Sequence, residues 1–366
     1  ETPRRLTFRE AVDLVLAQSP DLAISEKSIA ADREKLSATR ALRGPKISLT
    51  GSLVYWDKAL LVGAASVHDR LTGQATATAV QPLSQLAVIH HLVSLEEAGL
   101  DVARSEHQSA RLEVSAQTAS VYLHALQARA AQEITATSVK QVKAELERAR
   151  ALERGGVLQK VDAMRLEAAF AQARQAEIQA TRGAGLATDQ LALLLGLDPG
   201  HPLEVVDDFS DPPLPPPWTL DDARARAEKQ RPALKAANAR AEQARRGRKV
   251  AMADLFPSVL GLATYQHNEG AGSFQPKDAW FVGVSLSWDL WDWGRNYHKV
   301  KEAGARAEQA RLAASRLVDQ VNLDVRSKAL DAETAFESLD TVRTGLLAAE
   351  EAYRIANSRY ACDLKA

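Results

Sequence analysis

Side chains that could carry chemistry are few and scattered in this sequence of 366 residues. The adjacent pair His90 and His91 could bind a metal ion, but neighbouring residues of a helix point in different directions. The lone cysteine, Cys362, lacks a Cys–His signature and is interpreted as an inert thiol. The sequence contains no zinc-protease motif, no paired-cysteine motif, no phosphate-binding glycine loop and no nucleophile–base–orienter set. We therefore expect no enzyme activity, no metal and no cofactor.

Charge and hydropathy narrow the class of protein further. The formal net charge is -1, which argues against a nucleic-acid partner and against a polybasic membrane anchor. No apolar run reaches the roughly 18 residues that a transmembrane helix needs. If the protein spans a membrane, it must therefore do so with strands.

The elements that would position any site occur twice along the chain. Residues Leu6–Ala11 recur as Trp218–Ala223, and Ser19-Pro20 recurs as Arg231-Pro232. A period of roughly 210 residues is far too long for a solenoid repeat. The sequence thus predicts two similar halves, each with the same set of elements.

Repeat 1 is predicted to cover residues 1–198, and its order is helix, strand, strand, helix. A short helix is predicted from Leu6 to about Gln18, and a second from about Pro20 to Leu42. Pro45 and Pro82 mark the two junctions between helix and strand. Alanine, glutamate, arginine and leucine then dominate a proline-free stretch that predicts roughly 100 Å of helix. The predicted ranges are strands at about 46–56 and 71–83, a loop at 57–70, a long helix at 86–152 and a return helix at 159–195.

Repeat 2 is predicted to cover residues 218–366 after a stiff, proline-rich surface linker at 199–217. Pro257 and Gly294 mark its junctions. The predicted ranges are strands at about 257–267 and 279–289 and a long helix at 296–360. No return helix follows, so we expect that the native chain continues; a second half that is natively shorter is the alternative.

The clearest strand has one strongly apolar face. Its residues alternate with Phe281, Gly283, Ser285 and Ser287 on the opposite face, so the apolar face suits contact with lipid. Four strands cannot close a barrel, whereas three copies would supply twelve. A soluble β-sandwich is the alternative for this strand. The predicted lipid-facing residues are Trp280, Val282, Val284, Leu286 and Trp288.

This order of motifs resembles the TolC family of outer-membrane efflux ducts. The resemblance covers nearly the whole chain, and it is carried by Leu6–Val12, by Asp289–Arg295 and by Leu191–Gly196 before the linker. Gln81–Ser84 matches the start of the family's segment between strand and helix, but Leu86-Ala87 stands where glycine is usual. Each motif alone is a weak indicator of the family, whereas the order of the motifs in two halves is specific for it.

The resemblance implies a mainly α chain with a membrane β-barrel part. The assembly would be a homotrimer with a twelve-stranded barrel in outer-membrane lipid and a long α-helical periplasmic tunnel. It would bind a periplasmic adaptor protein and an inner-membrane pump of the RND, ABC or MFS type, and it would act as a passive exit duct. The turn before the return helix would contact the adaptor through Arg154, Gly155, Gly156, Val157, Leu158 and Asp162.

Two choices stay open at the level of sequence. An ordinary coiled coil would show the same helical periodicity, so a soluble structural or scaffolding protein is the alternative function. Within the duct, efflux of drugs and secretion of proteins through a type I system are not distinguished, because the pump selects the cargo.

Overall fold

The computed structural model describes residues 4–209 and 218–363, with side chains as far as Ile355. Seven helices and eight strands lie in this part of the chain. The helices are α1 (Phe8–Gln18), α2 (Pro20–Ala41), α3 (Gln85–Arg154), α4 (Lys160–Leu194), α5 (Leu220–Gln230), α6 (Pro232–Ala253) and α7 (Arg295–Asp363). The strands are β1 (Arg4–Leu6), β2 (Lys46–Tyr55), β3 (Leu60–Val62), β4 (Ala65–His68), β5 (Leu71–Pro82), β6 (Leu203–Val205), β7 (Ser258–Glu269) and β8 (Asp278–Ser287).

The lengths of the elements match between the two halves. Helices α1 and α5 have 11 residues each, α2 and α6 have 22 each, and α3 and α7 have 70 and 69. Local chemistry explains the boundaries: Thr7 and Glu10 form a capping box at α1, and Pro20 and Pro232 begin the helices that follow. Among the described residues, no helix combines the length and the hydropathy needed to cross a membrane.

One compact unit comprises Glu1–Glu26, His107–Thr219 and Lys328–Ala366. Its core gathers buried apolar residues of α1, α3 and α4 around a short parallel pair formed by β1 and β6. The phenol of Tyr122, fully buried on α3, lies 2.8 Å from the carbonyl oxygen of Leu6 and 2.7 Å from that of Val206. A single hydroxyl group therefore ties β1, the residue after β6 and α3 together.

The pair of β1 and β6 corrects two predictions. Leu6 lies in a strand and not in the first helix, and the segment predicted as a surface linker at 199–217 includes β6, in which Val205 is buried. Strands of three residues are too short to show a period-two pattern in sequence, so only their pairing reveals them. Residues 210–217, with five of the linker's prolines, lie outside the described residues.

The second unit comprises Lys27–Glu106 and Leu220–Ser327, and it contains an antiparallel sheet in the order β2-β5-β7-β8. The central pair, β5 with β7, joins the first half of the chain to the second, from Gly73 opposite Glu269 to Pro82 opposite Leu260. Strands β2 and β8 lie at the two edges of this sheet. The four strands therefore form one surface built from both halves.

The predicted loop at 57–70 is wrong in part, because β3 and β4 form a small hairpin there. Gly63 has φ +63° in the tight turn between the two strands, a conformation that glycine adopts without steric cost. Trp56 stabilises the base of the hairpin: its indole N–H donates to Thr72 Oγ1 at 3.0 Å, and its ring stacks on His68 with 4.5 Å between ring centroids.

The buried phenol of Tyr122 leads to a prediction about stability. Tyr122→Phe should lower the free energy of unfolding by about 1–3 kcal/mol, because buried backbone carbonyls lose a donor. Burial raises the pKa of this phenol. Its contribution should be fully present below the pKa of the unfolded state, about 10, and should be lost as the pH rises through the higher folded value.

The measurement is thermal unfolding of the protein in detergent at pH 7 and above pH 10. Tyr297→Phe is the matched control, because Tyr297 is exposed at the beginning of α7. Equal effects of the two substitutions at pH 7 would contradict the role given to Tyr122.

Candidate functional site

The register of the four-stranded sheet sorts its side chains into two faces. Residues that pair across the strands lie on the same face, and successive residues of a strand alternate between faces. We call one the apolar face; its inner part consists of Ile47, Leu49, Gly51, Leu53, Tyr55, Leu71, Gly73, Ala75, Ala77, Ala79, Val259, Gly261, Ala263, Tyr265, Trp280, Val282, Val284 and Leu286. We call the other the polar face; Ser48, Thr50, Ser52, Gln74, Thr76, Thr78, Thr264, Gln266 and Ser285 lie on it.

The apolar face is uncovered. The exposed fraction is 77% for Leu49, 76% for Trp280 and 70% for Val284. A contiguous apolar surface of this kind marks a membrane or protein interface. Four of the five residues that sequence reasoning assigned to lipid contact share this face, namely Trp280, Val282, Val284 and Leu286.

Trp288 requires a correction, because β8 ends at Ser287 and Trp288 follows the strand. The last pair of the ladder is Ser258 with Ser287, and the next partner would be Pro257, which has no N–H group to donate. The indole N–H of Trp288 instead donates to the carbonyl of Leu255 at 3.3 Å.

Aromatic residues mark both ends of the apolar face. The stretch of β2 from Ile47 to Tyr55 has the length of roughly 9–11 residues with which a tilted strand crosses a bilayer. On β7 and β8, Tyr265 and Trp280 pair on the side of the loop that joins these strands, and Phe256 and Trp288 flank the other end. This is the distribution that aromatic belts show at membrane interfaces.

Beyond Tyr265 and Trp280 the apolar face becomes polar. The carboxylate of Asp278 accepts from the hydroxyl of Tyr265 at 2.6 Å and lies 2.7 Å from Nδ1 of His267. Lys277 pairs with Glu269 at 2.9 Å. Both carboxylates therefore have polar partners, next to the loop between β7 and β8.

At the opposite end, strands change into long helices, and side chains hold the two junctions together. Ser84, which precedes α3, donates to the carbonyl of Pro257 at 3.1 Å and accepts from the N–H of Val259 at 2.8 Å. Gln85 donates to the hydroxyl of Ser258 at 2.8 Å. The junction of the first half is thus tied to that of the second.

The turn from β8 into α7 depends on one carboxylate. Asp292 accepts from the N–H of Gly294 at 3.0 Å and from the N–H of Asn296 at 2.9 Å, and the latter bond contributes most to lowering the pKa of Asp292. Trp293 and Gly294 both have positive φ, 55° and 82°. The cap offsets the strain of a non-glycine residue in this conformation.

The predicted junction residues lie where strands and helices meet. Pro45 and Pro257 directly precede β2 and β7, Pro82 ends β5, and Gly294 directly precedes α7. Sequence reasoning missed Asn296, which is buried and donates to the carbonyl of Asp254 at 3.2 Å. An asparagine at a helix start gives little signal in sequence of such a long-range contact.

The predicted adaptor-contact residues form the turn between α3 and α4. The N–H of Val157 bonds to the carbonyl of Leu152 at 2.9 Å, and Gly156 has φ +74°, which together close α3 with a Schellman-type cap. Val157 is 76% exposed. The carboxylate of Asp162, in the first turn of α4, pairs with Arg165 at 3.3 Å. The turn therefore presents an apolar side chain to solvent.

No group of three or more potential metal ligands is found in the part of the chain that the structure describes. The rings of His90 and His91 lie 5.8 Å apart with an interplanar angle of 56°. The features available for function are therefore surfaces, namely the two faces of the sheet, the junctions and the exposed turn.

Known proteins resemble this chain in sequence and in fold. The chain matches the profile of the outer membrane efflux protein family over residues 11–197 and 223–362. It is 27% identical to Protein CyaE of Bordetella pertussis (strain Tohama I) over 340 residues, which cover 88% of this chain and 69% of the relative.

The solved structures most similar in fold include three outer-membrane proteins. The outer membrane protein VceC of Vibrio cholerae superposes with a TM-score of 0.78 at 18% identity, covering 96% of this chain and 85% of that chain. The CmeC outer membrane channel of Campylobacter jejuni superposes with a TM-score of 0.80 at 14% identity, covering 96% of this chain and 76% of that chain. The MtrE outer membrane channel of Neisseria gonorrhoeae superposes with a TM-score of 0.75 at 19% identity, covering 96% of this chain and 79% of that chain.

These matches confirm the fold class, the outer-membrane location and the function as an exit duct that the sequence predicted. They do not support the alternative of a soluble coiled-coil scaffolding protein. With its duplicated helix–strand–strand–helix order and its uncovered apolar face, the chain belongs to the outer membrane efflux protein family and serves as an exit duct in the outer membrane.

Proposed function

We propose that three copies of this chain form a passive conduit that accepts cargo from an inner-membrane pump through a periplasmic adaptor. The observation that carries the proposal is the division of the sheet into an apolar face and a polar face. With lipid on the apolar face, the polar face lines the path of the cargo. No covalent step is needed, because the pump supplies the driving force.

The edges of the sheet support the trimer. Strands β2 and β8 each present a row of backbone groups without a strand partner among the described residues. Hydrocarbon cannot satisfy such groups, so each edge must pair with another strand. Pairing β8 of one copy with β2 of the next closes a barrel of twelve strands around three copies.

Helix α7 has an apolar stripe that suits contact with another helix of the tunnel. Beyond the middle of this helix, apolar residues at spacings of three, four and seven are exposed, namely Phe336, Leu339, Val342, Leu346 and Tyr353. Such a stripe is stable in water only when another helix packs on it. We assign the cover to helices of the assembled tunnel, in which the copies lie side by side.

The turn between α3 and α4 is the proposed contact with the adaptor. The turn is short, its backbone is closed by the cap at Gly156, and Val157 projects from it. A rigid turn with one exposed apolar residue loses little conformational entropy on binding. Pumps of the RND, ABC and MFS types all fit this arrangement, because the duct leaves the choice of cargo to the pump.

The lipid-facing assignment is tested by two neighbouring substitutions. Val284→Arg should reduce stability in the membrane by about 2–4 kcal/mol, because it places a charge in hydrocarbon near the middle of the band. Ser285→Arg is the matched control, since Ser285 pairs with Leu260 on the polar face. The readout is unfolding of each variant in lipid vesicles, and equal losses would refute the assignment of faces.

The trimer is tested by the mass of the detergent-extracted complex after subtraction of bound detergent. The 366 residues of one chain have a mass of 39.7 kDa, and we expect the complex to have three times the mass of one chain. A monomer or dimer that stays in solution without detergent would contradict the barrel and the tunnel together.

The adaptor contact is tested by a photo-crosslinking residue at position 157 in living cells. We expect a crosslink to a periplasmic adaptor protein, identified by mass spectrometry. Position 178, on the exposed surface of α4, is the control and should give no such product. Crosslinks of equal yield at both positions, or adaptor crosslinks at 178 alone, would place the contact elsewhere.

A further inference from the structure

A cavity of about 1140 Å³ lies on the polar face, where the sheet meets the helices. Lys46, Val80, Ser258 and Leu260 contribute from the strands, and all four belong to the polar face by register. The remaining walls come from the ends of α2 and α6 and from the beginnings of α3 and α7. The whole cavity lies within the second unit.

Positive charge exceeds negative charge around this cavity. Its lining includes the cations Lys46, Lys249, Lys299 and Arg295, against two carboxylates, Asp254 and Asp289. Arg295 pairs with Asp289 at 3.5 Å. Within the described residues, the three lysines have no carboxylate at ion-pair distance. Their ammonium groups are therefore available to an anion.

The excess charge is local. Farther along the polar face, the strands carry hydroxyls, amides and uncharged apolar groups, such as Thr50, Gln74 and Phe281. The first turn of α3, which begins at the cavity, has no acidic residue to offset the positive end of its helix dipole. A molecule moving along the polar face meets concentrated positive potential at this level.

The cavity is also partly apolar. Leu92, Met252 and Phe256 line it together with small side chains of α3. Typical small-molecule sites have volumes of roughly 300–1,000 Å³ and combine apolar walls with a few polar groups that orient the ligand. This cavity has a suitable size, and its mixture of apolar and cationic side chains suits a molecule that carries an anionic group on an apolar body.

We propose that the cavity is a binding site for organic anions with an apolar body, which it holds transiently during export. The lysines would bind the carboxylate, sulfonate or phosphate group, and the apolar wall would contact the remainder. The inference rests on the proposed function, because only the assignment of the polar face to the conduit places the site on the cargo path.

The test uses the detergent-extracted assembly and naphthalene-1,5-disulfonate, a water-soluble aromatic anion. Binding is measured by equilibrium dialysis in a nonionic detergent, with N-methylquinolinium as an aromatic cation for comparison. The site variant is Lys46→Gln/Lys249→Gln/Lys299→Gln. The control variant, Lys58→Gln/Lys235→Gln/Lys301→Gln, removes the same charge at three lysines outside the cavity lining.

We expect the disulfonate to bind more tightly than the cation, and the site variant to bind it at least tenfold more weakly than the control variant does. Each lysine should contribute a modest factor, and three together should exceed one decade in affinity. Higher salt should weaken binding, because the site is open to solvent. Equal affinities of the two variants, or equal binding of anion and cation, would overturn the proposal.

A second measurement separates this inference from the function on which it rests. The same preparations are reconstituted into planar bilayers, and conductance is recorded. Conductance without disulfonate binding would contradict the binding site and support the duct. Disulfonate binding in an assembly that is not trimeric and does not conduct would contradict the duct. The cavity would then bind anions without taking part in export.

Discussion

The pairing of β5 with β7 is the contact on which the rest of the sheet depends. These two strands come from different halves of the chain, and their ladder fixes which residues of each half share a face. Because side chains alternate strictly along a strand, a slip by one residue would move every apolar side chain of a half to the polar face. The register therefore determines both the surface offered to lipid and the surface along the cargo path.

The junctions convert this register into the positions of the long helices. A strand has a period of two and a helix a period of 3.6, so the chain must be held firmly where one becomes the other. Ser84 and Gln85 bond to backbone and side-chain atoms at the start of β7, while Asp292 and Asn296 hold the start of α7. Backbone strain at Trp293 is accepted there because the cap of Asp292 offsets it.

The distribution of charge follows the same division. On the apolar face, ionic groups occur at the far end of the strands, where Asp278 is hydrogen-bonded to Tyr265 and His267 and Glu269 pairs with Lys277. On the polar face, cations collect at the opposite end, beside the helix starts, and three of them lack an acidic partner among the described residues. Charge placed beside lipid must be paired, whereas charge beside water can remain available to a ligand.

Four features could be predicted from the sequence alone: the duplicated order of elements, the long helices, the junctions near Pro45, Pro82, Pro257 and Gly294, and the apolar alternation of residues 280–286. These features are local, since helix propensity, proline geometry and period-two alternation act over a few neighbouring residues. The end of β8 before Trp288, the hairpin of β3 and β4, the pairing of β1 with β6 and the cavity with its lysines depended on tertiary structure. Each of these features depends on contact between residues that are far apart in sequence. A local pattern of residues cannot identify such a distant partner.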